Sequence, residues 1–272
     1  MNSTDTYKKV GHDLIKHDQN CQKCPLGVTR AWLNKQLDPL DTRKTQLSVG
    51  GAGPIDLTKV KLILISDYPG HYEALNGYPQ FDACAGKEER RDGILIPHNS
   101  GAFIRMTLNA MYGLNTYDDM WITNAVKCNP MKTKVVESRH LKPCIAAWLR
   151  SEFLILDEHC PNVPILVAGL HAFRAVKVLY KTDASLLESL GFNGCRRRGD
   201  IKLGTHPAVF CPNPARAARS EARIETQVMY KEGYFYPSRN QWLPPIVGGP
   251  VWSILQDLRF LKPFITNDNV SS

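Results

Sequence analysis

Four cysteines carry the first chemical signal. Cys21 and Cys24 lie in "CQKCPLGVTR", while Cys128 and Cys144 stand at the ends of "CNPMKTKVVESRHLKPC" with fifteen residues between them. A C-x2-C pair lets two thiolates from one turn reach a single inorganic centre. The wide second pair departs from the repeated C-x2-C of a zinc ribbon. A narrow pair near the chain start and a wide pair after a strand suit a [4Fe–4S] cluster, which takes four thiolates. Spacing alone leaves zinc and free thiols as alternatives. The stretch 123–144 around the later pair reads as too polar and basic for a core.

The elements that must position these residues follow from apolar patterning. The chain of 272 residues is 43% hydrophobic and 22% charged, which suits one large α/β domain or two small ones. Buried strands are predicted at "VKLILIS" (60–66), "MWITNAV" (120–126) and "VPILVAG" (163–169), with a weaker one at "IKLGTH" (201–206). Helical patterns fall over 101–114, 144–159 and 171–180, and a long surface helix with a proline start is expected over 213–234. Phe103, Met106, Leu108 and Met111 have helical spacing, and Gly113 suits the end of that helix. Alternation of strand and helix predicts a three-layer αβα sandwich around a mostly parallel four-stranded sheet. Ligands of such sheets sit at the carboxyl ends of the strands.

A domain is expected over 1–233, followed by a C-terminal extension over 234–272. The extension begins as a Pro/Gly/aromatic-rich stretch. It ends in a short amphipathic helix, "VWSILQDLRFLKPF" (251–264), expected to pack back on the domain.

Charge adds a partner class. The net charge is +8, with a pI near 9.0. Basic segments such as "CRRRGDIK" (195–202) and "ARAARSEAR" (215–223) fit either a solvated surface or a polyanion such as DNA, whose counterions fixed cations displace. No apolar run reaches the ~20 residues of a membrane span. The first twenty residues lack the apolar core of a secretory signal, so the expectation is an intracellular, cytoplasmic protein.

Five blocks occur in a telling order: "CQKCPLGVTR", "LISDYPGHYEALNGYPQF", "ITNAVKCNP", Cys144 and "THPAVFCPNPARA". Over roughly residues 15–220 the chain resembles the iron–sulfur uracil-DNA glycosylases of the family 4 type. Their pattern runs C-x2-C-x-L, GE-x-PG, G-x-PF-x-G, TN-x-VKC-x-P, C and HP[SA]. The resemblance implies hydrolysis of the N-glycosidic bond of uracil, or a related damaged pyrimidine, in single- or double-stranded DNA. It implies a [4Fe–4S] cluster held by Cys21, Cys24, Cys128 and Cys144, most simply as a structural tie. Cys84, Cys160, Cys195 and Cys211 match no ligand position and read as core or incidental thiols.

The same resemblance assigns roles to side chains. Uracil excision expels an anionic base from an oxocarbenium-like sugar, so it needs a donor at the base and a carboxylate at the sugar. His206, in the block resembling HP[SA], is the expected donor. Asp67, where the family usually has Glu, is the expected water-orienting carboxylate. Glu73 reads as a helix-surface residue. Tyr68 would border the base, and Asn124 would pair with the N3–H and O4 edge. Phe81 matches the stacking ring once Gln80 is counted as inserted, with Phe103 its rival beyond the insert 87–103. After the KC-x-P block, Thr133 and lysines stand where the family often has another polar residue. Val209 or Phe210 would wedge into the DNA stack, and Arg216 and Arg219 would contact phosphate. The alternative is a glycosylase-fold DNA-binding subunit of a replication or repair assembly. It would dock through the C-terminal extension, where "QDLRF" (256–260) weakly resembles a sliding-clamp-binding peptide.

Overall fold

The computed structural model describes residues 21–36, 49–70, 73–74, 89–91, 94–96, 100–116, 118–130, 136–214, 228–230, 233–236, 241–243 and 250–265. A five-stranded sheet forms its centre. The strands are β1 (Leu62–Ser66), β2 (Met120–Asn124), β3 (Ile165–Ala168), β4 (Ile201–Leu203) and β5 (His206–Cys211). Their order is β2-β1-β3-β5-β4, with the first four parallel and β4 antiparallel to β5.

Residues of β1, β2 and β3 are buried on both faces, which explains their unbroken apolar runs. Alternate side chains feed two cores. Ile63, Ile65, Trp121, Ile165, Val167 and Phe210 face one core; Leu62, Leu64, Ile122, Leu166 and Val209 face the other. The first core is covered by α1 (Pro25–Lys35), α3 (Ser138–Cys144), α4 (Arg150–His159), α5 (Leu170–Leu179) and α6 (Ala184–Cys195). The second is covered by α2 (Ser100–Tyr112) and α7 (Pro250–Leu258). The three-layer α/β sandwich is therefore present, with one strand more than expected.

The added strand comes from "HPAVFC". Its Pro207 argues against a central strand, because proline donates nothing to a ladder. The register removes the conflict. Pairing with β3 begins only at Ala208, while Pro207 faces Lys202 of the short edge strand. Gly204, at φ 59, makes the tight turn from β4 into β5, and its N–H donates to Asp183 Oδ2 at 2.9 Å.

The helix expected over 213–234 is corrected at its far end. Residues Val228–Tyr230 and Gly233–Tyr236 are strands of an antiparallel sheet completed by Gln241–Leu243. The insert contains a second small ladder, Glu89–Arg91 against Ile94–Ile96. Within the C-terminal extension, α7 lies on β5, and Ile254, Leu258 and Leu261 are fully buried. The extension thus supplies part of one helical layer. Arg196, in the basic segment 195–202, donates from Nε to Asp257 Oδ2 at 2.7 Å and fastens this helix. Within "QDLRF", Asp257 and Leu258 are buried rather than offered to a partner. No helix among the described residues is long and apolar enough to cross a membrane.

Truncating a fully buried leucine costs both transfer energy and a cavity. Leu258→Ala is expected to lower unfolding free energy by about 2–5 kcal/mol in chemical denaturation. A change below about 0.5 kcal/mol would show that α7 does not belong to the core.

Candidate active site and cysteine centre

The carboxyl edge of the sheet gathers the end of each parallel strand. Asp67 follows β1, Asn124 ends β2, Gly169 follows β3 and Asn213 lies just past β5. Asp67 is only 7% exposed, and three donors converge on it. Oδ1 accepts the backbone N–H of His171 at 2.8 Å and of Ala172 at 3.0 Å. Oδ2 accepts from Asn213 Nδ2 at 2.9 Å.

The local sequence explains this arrangement. Helix α5 begins after Gly169, a cap residue with no side-chain oxygen to offer. Asp67 does from another strand what Ser or Asp at the cap would do locally. Its negative charge also meets the positive end of the helix dipole. Gly169 itself is required here. Its φ is 114, and a Cβ would overlap the Asp67 carboxylate. Among the described residues Oδ2 has one donor, Asn213, so Asp67 is held rigidly and has a second lone pair there that a water could use.

Asn124 lies on the strand beside Asp67, since Ser66 and Asn124 are register partners. It is fully buried, and its Oδ1 accepts from Ser66 Oγ at 2.6 Å. Its Nδ2 has no partner among the described residues. An unpaired buried amide costs about 1–3 kcal/mol, which makes this group a natural ligand contact. Tyr68 is half-buried, with its ring 6.0 Å from that of His171. Just after Tyr68, Asn129 Nδ2 donates to Pro69 O at 2.8 Å. Glu73 is buried rather than on a helix surface, and its carboxylate accepts from the Gly70 N–H.

His206 is not at this edge. It opens β5, while the site lies beyond the end of the same strand, roughly 16 Å away at ~3.3 Å per residue. Its ring is closed in by Val163 O at 2.7 Å from Nδ1 and by Asp157 Oδ1 at 3.0 Å from Nε2. The block resembling HP[SA] is therefore the start of a strand and not the loop after one. Val209 and Phe210 are correspondingly interior strand residues, fully buried, and cannot wedge into DNA. Phe103 is buried in the second core with Leu62 and Leu64. Phe81, Thr133, Arg216 and Arg219 lie outside the described residues, as does Cys84.

The cysteines behave differently from the histidine. Cys21, Cys24, Cys128 and Cys144 are all buried, and the charges of Cys144, Cys24 and Cys21 all act on Cys128. A hydrogen bond from Cys128, with help from the Gly27 and Leu26 N–H groups, lowers Cys24 to about 6. The same bond and burial push Cys128 well above the thiol range. Burial pushes Cys144 up to about 12. N–H groups are already aimed at the sulfurs: Trp148 Nε1 to Cys21 Sγ and Lys127 N to Cys144 Sγ, both at 3.2 Å. Trp148 lies in a π-helical turn (Ile145–Leu149) just after Pro143. Among the described residues no three or more His, Cys, Asp or Glu side chains are close enough to hold a metal ion. The four sulfurs are an all-thiol donor set, and two of them already accept N–H···S hydrogen bonds.

The first part of the stretch carrying the later pair is core, whereas Glu137, Ser138, Arg139 and Lys142 further along are exposed. Ala125, Val126, Lys127 and Cys128 are buried. Lys127 Nζ pairs with Glu152 Oε2 at 2.5 Å and donates to Thr123 Oγ1, and Trp121 Nε1 donates to Glu152 Oε1 at 2.8 Å. A buried lysine is tolerable only with this paired and hydrogen-bonded carboxylate. The remaining described cysteines, Cys160, Cys195 and Cys211, are buried elsewhere in the cores.

No protein-family model matches the chain, and no curated protein matches it.

Gly169→Ala tests the cap. The variant is expected to lose about 2 kcal/mol or more of stability in denaturant titration, because the methyl must displace Asp67 and adopt a disfavoured φ. An unchanged midpoint would contradict the crowding at Asp67.

Proposed function

We propose that the protein is a DNA glycosylase that hydrolyses the N-glycosidic bond of uracil, or a related damaged pyrimidine, and leaves an abasic site. The observation that carries this reading is the pair of neighbouring strand ends. A rigid carboxylate with one acceptor site free among the described residues, Asp67, stands beside a buried amide with an unpaired donor, Asn124. The target base is flipped out of the stack at a cost of a few kcal/mol. Asn124 bonds its edge, and Tyr68 borders it.

As the C1′–N1 bond breaks, its electron pair leaves with the base and C1′ becomes cationic. Asp67 Oδ2 orients a water whose oxygen bonds to C1′. The water's proton passes to Asp67 or solvent, and the anionic base is later protonated from solvent.

Cys21, Cys24, Cys128 and Cys144 would hold a [4Fe–4S] cluster. When bound, it supplies four metal–thiolate links that convert ligand binding into folding energy. Those links would join the segment before α1 to the end of β2 and to the end of α3.

A second reading, a glycosylase-fold DNA-binding subunit with little catalysis, is favoured by one observation. The histidine expected to stabilise the departing base is locked at the far end of β5.

An oligonucleotide with one uracil separates the two readings. The wild type is expected to give alkali-labile strands. Asp67→Asn, which keeps an acceptor for α5, is expected to slow this by roughly 10²–10⁴-fold. DNA binding without base release would support the subunit instead. Aerobically or anaerobically purified protein is expected to contain about four irons per chain, with acid-labile sulfide. Stoichiometric zinc without iron would overturn the cluster assignment.

A further inference from the structure

Removing His206 from the carboxyl edge leaves the base-excision reading without a donor for the departing anion. We propose that His171 supplies it, and this inference rests on that reading.

His171 stands in the first turn of α5, directly past the end of β3 and between the ends of β1 and β5 in the sheet order. Its backbone N–H is pinned to Asp67 Oδ1, which fixes the root of the side chain next to the water-orienting carboxylate. The side chain is half-buried, and its ring lies 6.0 Å from the Tyr68 ring at an interplanar angle of 49°. Tyr68 itself begins the turn expected to border the base. Neither imidazole nitrogen has a hydrogen-bond partner among the described residues, unlike His206, which is bonded at both. His140 is buried beside the cysteine centre, with its Nδ1 bonded to the Glu137 N–H. His159 ends α4, the helix whose Asp157 holds His206 at the opposite side of the sheet.

The chemistry fits the position. Burial lowers the His171 pKa, with Arg174 acting in the same direction and Asp67 opposing. Lowered from its ordinary value, the ring is neutral near pH 7 and carries one N–H. A neutral imidazole is too weak an acid to surrender that proton. It donates a hydrogen bond to the base oxygen on which the electron pair of the broken C1′–N1 bond settles. Such a donor, fixed before the reaction, stabilises the anion only as it forms. The proton that finally neutralises the base comes from solvent, so the imidazole leaves the cycle unchanged.

Single-turnover release of uracil from DNA tests this, using wild type, His171→Ala and His171→Gln. His171→Ala is expected to slow release about 10²–10³-fold, the usual loss of one such donor. His171→Gln, which restores an N–H, is expected to recover part of it. Melting temperature and DNA affinity should stay at wild-type values, because the contact that anchors α5 is a backbone one. Release by His171→Ala within about threefold of wild type would overturn the assignment while leaving base excision intact. Loss of release accompanied by an equal loss of DNA binding or of melting temperature would also overturn it. A wild type that binds DNA and releases no base would overturn the base-excision reading, and the role of His171 with it.

Discussion

The carboxylate of Asp67 is the constraint around which the carboxyl edge is built. A helix that starts after a glycine has no local acceptor for its first N–H groups. In this protein the acceptor comes from a different strand, and the same carboxylate also takes the Asn213 amide. Three segments distant in sequence are thereby held within hydrogen-bonding reach of one side chain. The exposed end of α5, which would otherwise attract any anion, is already neutralised by a residue of the chain.

A second tie operates on the other side of β1. Lys127 and Glu152 form a buried pair that fixes α4, and with it the π-helical turn and Trp148, against the end of β2. Burying these charges is costly, and the cost is offset only because Thr123 and Trp121 satisfy the remaining hydrogen bonds. The gain is positional. Cys128 directly follows Lys127, Cys144 ends α3 just before the π-helical turn, and Cys21 is reached by the Trp148 indole. The cysteine centre and the carboxyl edge therefore share the strand end at Asn124 and the turn that follows it.

The two cores show which parts of the fold were legible in the sequence. Continuous β-branched runs predicted β1, β2 and β3 because strands covered on both faces have no polar side. The fifth strand was hidden by Pro207, whose missing N–H matters only inside a ladder; the register starts one residue later. That single reassignment moved His206, Val209 and Phe210 from a loop at the site into the sheet. It also exposed Asn213 and His171 as edge residues. Neither had a local signal: one lies in a proline-rich turn, and the other reads as an ordinary first-turn residue of an amphipathic helix.

Sequence by itself determined the layered α/β class, the parallel core strands, the two cysteine pairs and the positions of Asp67 and Asn124. These follow from apolar periodicity and from residues at predicted strand ends, which are properties of short segments. Only the tertiary structure decided which end of a strand each chemical group occupies. It also decided that a lysine-bearing stretch is core and that the C-terminal helix completes a layer. Those outcomes depend on register and on partners far away in the chain. Mistaking where one strand begins and which way it runs moves its residues to the other end of the sheet while leaving every local pattern unchanged.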